Sequence, residues 1–233
     1  MKNKYIFISP HLDDAILSCG GLIKYLSGIA EVSVITVFTE AGNNKTVTTW
    51  RILRKCGFAN ASEYYKARRR EDQRVLKKLG VRAVHLGFID APWRGYYPLF
   101  RWQGYTGKIS QEDKSLLIKI KEKLRKYTAG NKMVFGPMAF GKHVDHVMVH
   151  EACKEFQNVI FWEDVPYKNQ ENKLFKKMSI NVNEEEKLQL IKEYKTQYKT
   201  LFDEELKIKL KEESYYITDR HCEEVLRRGN LYK

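Results

Sequence analysis

Apolar and polar positions along the chain fall into two alternating rhythms. "KYIFIS" near the start and "EVSVITVF" from Glu31 are short, almost unbroken apolar runs rich in β-branched residues, the pattern of strands buried on both faces. "VRAVHLGF", "KMVFGP" and "NVIFWED" read the same way. Between them lie stretches with helical spacing: "AILSCGGLIKYLSG" closed by Gly28, "ASEYYKARRREDQRVLKKLG" closed by Gly80, and "SQEDKSLLIKIKEKLRKY". A further helix is expected from about His143, and another across "NEEEKLQLIKEYKTQYKTLF" in a more irregular C-terminal third. Strands alternating with helices predict βαβ units and an α/β fold with a mainly parallel sheet. No repeat, low-complexity tract or linker interrupts the pattern, so residues 1–233 read as a single domain.

Composition narrows the class. The 233 residues are 43% hydrophobic and 12% aromatic, which excludes a disordered chain. No run reaches the ~18 apolar residues that span a bilayer. The N-terminal "MKNKYIFISPHLDD" meets charge at once and reads as a strand rather than a signal peptide. Cys19, Cys56, Cys153 and Cys222 are scattered without a CxxC pair, which excludes a Cys-rich zinc module and suits free thiols in a cytoplasmic protein. The net charge of +13 comes largely from lysines on amphipathic helices. It reads first as a solvated face, with no nucleic-acid partner expected. A basic surface of this kind would equally attract a phosphorylated sugar, a nucleotide-sugar or, as a peripheral membrane contact, an anionic headgroup.

The unusual chemistry sits where strands stop. In "SPHLDDAILSCGG", His11, Asp13 and Asp14 interrupt two segments that want burial, just past the first strand. "FIDAPWRGYYPLFRW" and "GPMAFGKHVDH" follow later strands in the same sense, and ligands in parallel sheets bind beyond the carboxyl ends of the strands. In "GKHVDHVMVHEA", His143 and His146 would share a helix face with Asp145 pointing elsewhere. Either cluster alone could be a helix cap. Together they supply the imidazoles and carboxylates of a mononuclear zinc hydrolase, which needs three N or O ligands, a position left for water, and a carboxylate base.

The same residues carry a family resemblance. "PHLDDAILSCGG" resembles the PHPDDE-type signature of the PIG-L (LmbE-like) N-deacetylases, and "HVDH" resembles their second motif, usually HPDH. "RRREDQRVLKKLG", "LGFIDAPWR", "FWEDVPY" and "EYKTQY" are similar to further segments of that family, so the likeness runs through most of the chain. It implies a Rossmann-like three-layer sandwich and zinc, with iron(II) as the other candidate, held by His11, Asp14 and His146. It implies Asp13 as general base and then acid, His143 as the group facing the oxyanion with Asp145 orienting it, and Arg68 and Asp90 as sugar contacts. Two positions depart from the pattern: Ala15 stands where glutamate is usual, and Gly141 where some members have a tyrosine. Neither removes a ligand or the base.

Of the other candidates, His85 and His150 read as structural and His221 as part of a solvated tail. Trp93, Tyr96, Tyr97, Phe100 and Trp102 crowd one loop; they either pack over the sheet edge or stack on a sugar face or lipid. One of Arg68, Arg69 and Arg70 could meet an anionic group. The expected activity is removal of an N-acetyl group from an amino sugar of the N-acetylglucosamine type. The alternatives are a lipid-linked, nucleotide-linked or non-sugar amide, or a non-catalytic basic binding protein on the same fold. Oligomeric state is not legible.

Overall fold

A computed structural model describes residues 3–96, 104–130, 132–167, 174–201 and 210–217. Tyr97, Phe100, Trp102, His221 and Cys222 lie outside these. The chain runs β1 (Lys4–Ser9), α1 (Asp14–Ser27), β2 (Glu31–Glu40), α2 (Val47–Cys56), α3 (Ala61–Lys78) and β3 (Arg82–Ile89), then α4 (Lys114–Thr128), β4 (Met133–Pro137), α5 (Val144–Cys153) and β5 (Val159–Trp162). It continues through β6 (Lys176–Asn181), α6 (Glu184–Lys192), α7 (Lys195–Leu201) and β7 (Glu212–Ile217). One seven-stranded sheet has the order β3-β2-β1-β4-β5-β7-β6. The first five positions in that order are parallel; β7 and β6 are antiparallel additions at one edge.

The mainly parallel sheet is therefore the expected one, with helices packed against both faces. One face buries Phe7, Phe135 and Trp162 against Leu22, Ile23 and Leu26 of α1. The other buries Ile8, Ile35 and Phe161 against Leu124 of α4 and Met148 and Val149 of α5. The sheet order reverses between β2–β1 and β1–β4, so the crevice that a ligand would use opens beyond Ser9 and Pro137. Both metal-type motifs sit at that point.

The structure departs from the pattern read in the sequence in three ways. Helix α2 is an addition; Thr46 caps it by accepting Thr49 N–H, and Thr49 returns the bond. The single long C-terminal helix is two, broken at Glu193–Tyr194, where Tyr194 turns inward to donate to Asp72 at 2.9 Å. The antiparallel β6 and β7 are also additions. The three cysteines in the described residues, Cys19, Cys56 and Cys153, are free thiols, as expected.

Helix α1 is not continuous. Cys19 leaves helical geometry (φ −131°, ψ 15°), which frees N–H groups in mid-helix. The Glu213 carboxylate of β7 accepts Gly21 N–H at 2.8 Å and Leu22 N–H at 3.1 Å, acting as a cap brought from far along the chain. Only glycine fits at 21, since a Cβ there would come within 2.4 Å of Val182. Glu213 also accepts from Tyr215 and lies 2.8 Å from Lys187 Nζ, with both charged side chains fully buried.

Removing one partner of a buried ion pair leaves the other charge uncompensated. Glu213→Ala is expected to cost about 3–5 kcal/mol in urea unfolding at unchanged m-value. A loss below about 1 kcal/mol would show that the pair does not hold α1 to the sheet.

Candidate metal centre and active site

The site is assembled by turns at the carboxyl end of the sheet. The turn after β1 brings His11, Asp13 and Asp14; the one after β3 brings Asp90 and Trp93; the loop from β4 into α5 brings His143, Asp145 and His146. This last loop is tightly wound, with Ala139, Gly141 and Lys142 all at positive φ (62°, 82° and 57°). Two of these are not glycine, a strained arrangement that surrounding structure must hold.

Asp14 Oδ2 is the focus. It accepts the His11 N–H at 2.8 Å and lies 3.0 Å from His11 Nδ1 and 3.3 Å from His146 Nε2. The far nitrogen of each ring meets another buried carboxylate: His11 Nε2 is 3.0 Å from Asp145 Oδ2, and His146 Nδ1 is 2.6 Å from Asp164 Oδ1. A ring N–H donated to each backing carboxylate leaves a lone pair on His11 Nδ1 and on His146 Nε2, both facing Asp14. His146 Nε2 has no hydrogen-bond partner among the described residues. The three ligand atoms lie within 4.8 Å of one another.

Two imidazole nitrogens and one carboxylate, with a buried lone pair left over, fit a divalent ion of the zinc or iron(II) kind. The electrostatics agree. Burial alone would lower the His146 pKa, but Asp14 and Asp164 outweigh it and push it up to about 10. Burial likewise opposes charge on His11, and Asp90 and Asp14 overcome it. This is a place built for positive charge. His11, His143 and Asp145 form a second possible grouping, but Asp145 is already engaged by Arg94 at 2.8 Å and by Ala91 N–H at 3.0 Å.

Asp13 occupies the N-cap position of α1 yet makes no side-chain cap bond, so the capping alternative does not account for it. Its Oδ1 lies 3.3 Å from Arg68 Nη2. Burial raises its pKa to about 6, with Arg68 opposing the rise and Asp14 adding to it. His143 is driven well below the ordinary histidine value by burial and by the positive neighbours His11 and His146. Its Nδ1 accepts the Asp145 N–H at 3.2 Å, so the neutral ring carries its proton on Nε2.

The structure alters three details of the sequence picture. The Asp145 side chain does not point elsewhere: its carboxylate turns into the site, onto His11, while only its main chain reaches His143. A helical wheel misplaces it because His143 is the cap of α5 and not part of the helix. Arg68 and Asp90 line the cleft but are turned toward each other (3.8 Å), with Arg68 on Asp13 and Tyr65 donating to Asp90. Trp93 is 5% exposed and packs with Leu12, Tyr64 and Tyr65, so it is chiefly wall. His85 pairs with Asp72 at 2.7 Å and His150 with the Pro137 carbonyl at 2.9 Å, both structural contacts.

The sequence did not single out two further residues, the buried Asp164 and the part-buried Arg94. Asp164 of "FWEDVPY" backs His146, and Arg94 of "LGFIDAPWR" backs Asp145. The cleft above the centre has a cavity volume of about 170 Å³ and opens to solvent. Its walls include Leu17, Ile52, Tyr64, Trp93, Tyr105 and Tyr167. Tyr167 packs over Gly141 so closely that a Cβ there would lie 2.4 Å from the ring. A tyrosine from the loop after β5 thus fills the space that a side chain at 141 would take.

The pattern of the PIG-L family, described as GlcNAc-PI de-N-acetylase, matches residues 6–157. The chain is 30% identical over 181 residues to a 2'-N-acetylparomamine deacetylase of Streptomyces fradiae, covering 72% of this chain and 59% of that protein. It therefore spans less than two thirds of that relative's length. A 2'-N-acetylparomamine deacetylase of Niallia circulans is 28% identical over 237 residues, covering 90% and 86%. Among solved structures, a deacetylase–bog complex of the teicoplanin biosynthesis pathway has a TM-score of 0.74 at 25% identity, covering 92% and 97%. N,N'-diacetylchitobiose deacetylase from Pyrococcus horikoshii shares the fold, with a TM-score of 0.57 at 16% identity and coverage of 93% and 84%.

Metal-stripped protein is expected to take up a single zinc ion. Asp164→Ala, by releasing the His146 ring, is expected to weaken that binding about 10- to 100-fold in competition with a chelating dye. Unchanged affinity would show that Asp164 does not set the His146 ring.

Proposed function

We propose that this chain, which belongs to the PIG-L family, is a metal-dependent hydrolase that removes an N-acetyl group from an amino sugar. The carrying observation is the arrangement around Asp14: two histidine lone pairs converge on its carboxylate, and a second carboxylate, Asp13, stands beside it in the cleft. The names of the relatives supply the substrate class, an acetylated amino sugar such as 2'-N-acetylparomamine. We take residues 1–233 to work as one unit, since every site loop leaves the same sheet. Free thiols suit a cytoplasmic protein, and no helix among the described residues is long and apolar enough to cross a membrane.

In this reading His11, Asp14 and His146 hold the ion. Zinc or iron(II) in that place supplies a Lewis acid and an open position that lowers the pKa of water to about 7. Asp13, with a pKa near 6, takes a proton from the water that attacks the acetyl carbonyl. It returns the proton to the nitrogen as the C–N bond breaks, so acetate and the free amine leave. Arg68 keeps the Asp13 carboxylate turned toward the reacting centre. His143, neutral and protonated on Nε2, offers that N–H to the developing oxyanion. Asp90, Tyr64 and Trp93 form the wall against which the sugar lies.

The test is amine release by zinc-loaded protein from a panel of acetamido sugars: simple N-acetylglucosaminides, 2'-N-acetylparomamine, and lipid-linked and nucleotide-linked forms. Asp13→Asn is expected to keep zinc and lose about 10²- to 10⁴-fold in kcat/KM. Near-full turnover in that variant would remove Asp13 from the base role, and no turnover on any member by zinc-loaded wild type would overturn the amino-sugar reading.

Because the base must be ionised, kcat/KM is expected to rise with pH and level off once Asp13 has lost its proton, at or below pH about 6. A bound cation favours the carboxylate, so it shifts this limb downward and not upward. An acid limb centred well above pH 7 would point to a different ionising group.

A further inference from the structure

Behind the site lies a chain of buried and part-buried charges that the proposed reaction does not use. Arg94 closes the short 3₁₀ turn Ala91–Arg94, and its guanidinium is committed on every side. Nη2 lies 2.8 Å from Asp145 Oδ1, Nε donates to Asp113 Oδ2 at 2.8 Å, and Nη1 donates to the Ile89 carbonyl at 2.6 Å. The plane rests on Phe38 and Tyr96, 4.9 and 5.2 Å from the ring centroids. Asp113 stands at the N-cap position of α4 without capping it, so its carboxylate is free to serve Arg94.

Asp145 is fully buried, and its Oδ1 makes an ion pair with Arg94 without an aligned hydrogen bond. Oδ1 faces Arg94, while Oδ2 meets Ala91 N–H and His11 Nε2, each at 3.0 Å. With Oδ1 drawn toward Arg94, the other edge of the carboxylate is presented to His11 and the Ala91 N–H. That edge accepts the Nε2 proton and leaves Nδ1 as the lone pair directed at Asp14. A planar fork held by three partners can fix a carboxylate in this way; an ammonium on a flexible stem cannot. Arg94 also belongs to the same turn as Asp90 and Trp93 of the cleft wall. Wall and ligand are thereby locked to one another.

We propose that Arg94, anchored by Asp113, is a positioning residue for the metal centre: it orients Asp145 so that His11 presents Nδ1 as a ligand. This rests on the ligand set proposed above. Its immediate consequence is an effect on metal affinity, separable from turnover.

The experiment measures zinc dissociation constants by competition with a chromophoric chelator, with urea unfolding of each metal-free protein alongside. Arg94→Met is expected to weaken zinc about 10- to 100-fold, the range for losing a group that orients a ligand. Arg94→Lys is expected to recover only part of the affinity. In an Asp145→Asn background the Arg94→Met effect should disappear, because the arginine then has nothing to orient. An affinity within about twofold of wild type for folded Arg94→Met, or an undiminished effect without Asp145, would overturn the proposal. If Arg94→Met does not fold, Arg94→Lys carries the test: an affinity within about twofold of wild type would overturn the inference. His11→Ala separates the two readings: retained zinc there removes the ligand set itself, whereas lost zinc there with unchanged affinity in Arg94→Met removes only this inference.

Discussion

A buried negative charge on Asp14 organises this molecule. A carboxylate withdrawn from water is costly unless something compensates it. Here the His11 N–H donates to it, and two imidazoles held by Asp145 and Asp164 face it, their lone pairs and the carboxylate together calling for a cation between them. Those carboxylates are buried too, and each needs a partner in turn: Arg94 and the Ala91 N–H for one, the Phe140 N–H for the other. The polar groups therefore form shells of alternating sign around one point, reaching outward through the loops until Asp113 and the start of α4. A cation in the middle completes the alternation, and its removal leaves the innermost carboxylate without a full countercharge.

The parts of this arrangement that were legible in the sequence are those set by local spacing. His11, Asp13 and Asp14 interrupt apolar runs, and His143 and His146 follow a strand that stops at Pro137; the βαβ rhythm then brings both to one sheet edge. Asp13 and Asp14, as neighbours, could be expected to divide two tasks between them. What local spacing does not encode is which way a carboxylate turns. Asp145 was readable as a member of the cluster but not as the partner of His11, because the chain between residues 11 and 145 must fold before they meet. Asp164 and Arg94 are ordinary residues of "FWEDVPY" and "LGFIDAPWR" until the sheet brings them behind the histidines. Helix α2 was hidden by a weakly apolar composition, with only Thr48 and Thr49 buried. The break between α6 and α7 follows from the inward turn of Tyr194 to Asp72, a contact with α3 that no periodicity reveals.

The glycine at 141 illustrates how a departure from a motif can be a repacking. The loop there is left-handed, and the ring of Tyr167 lies against the bare Cα, 5.4 Å from the His146 ring centroid. An aromatic ring thus stands near the centre, and its backbone support comes from the loop after β5 and not from the loop that carries His143 and His146. That loop also supplies Asp164, so ring and carboxylate reach His146 from one segment.

The cap that Glu213 places on α1 has a temporal side. Asp14 begins α1, yet the N–H groups freed by its kink are satisfied from a strand near the other end of the chain. During synthesis His11 and Asp14 emerge before His146 and Asp164, and Glu213 emerges after all of them. The emerging N-terminal segment thus carries His11 and Asp14 before the acceptor for the kinked helix behind them exists. A chain that stops before β7 would carry His11 and Asp14 on a helix whose Gly21 and Leu22 N–H groups have lost their acceptor.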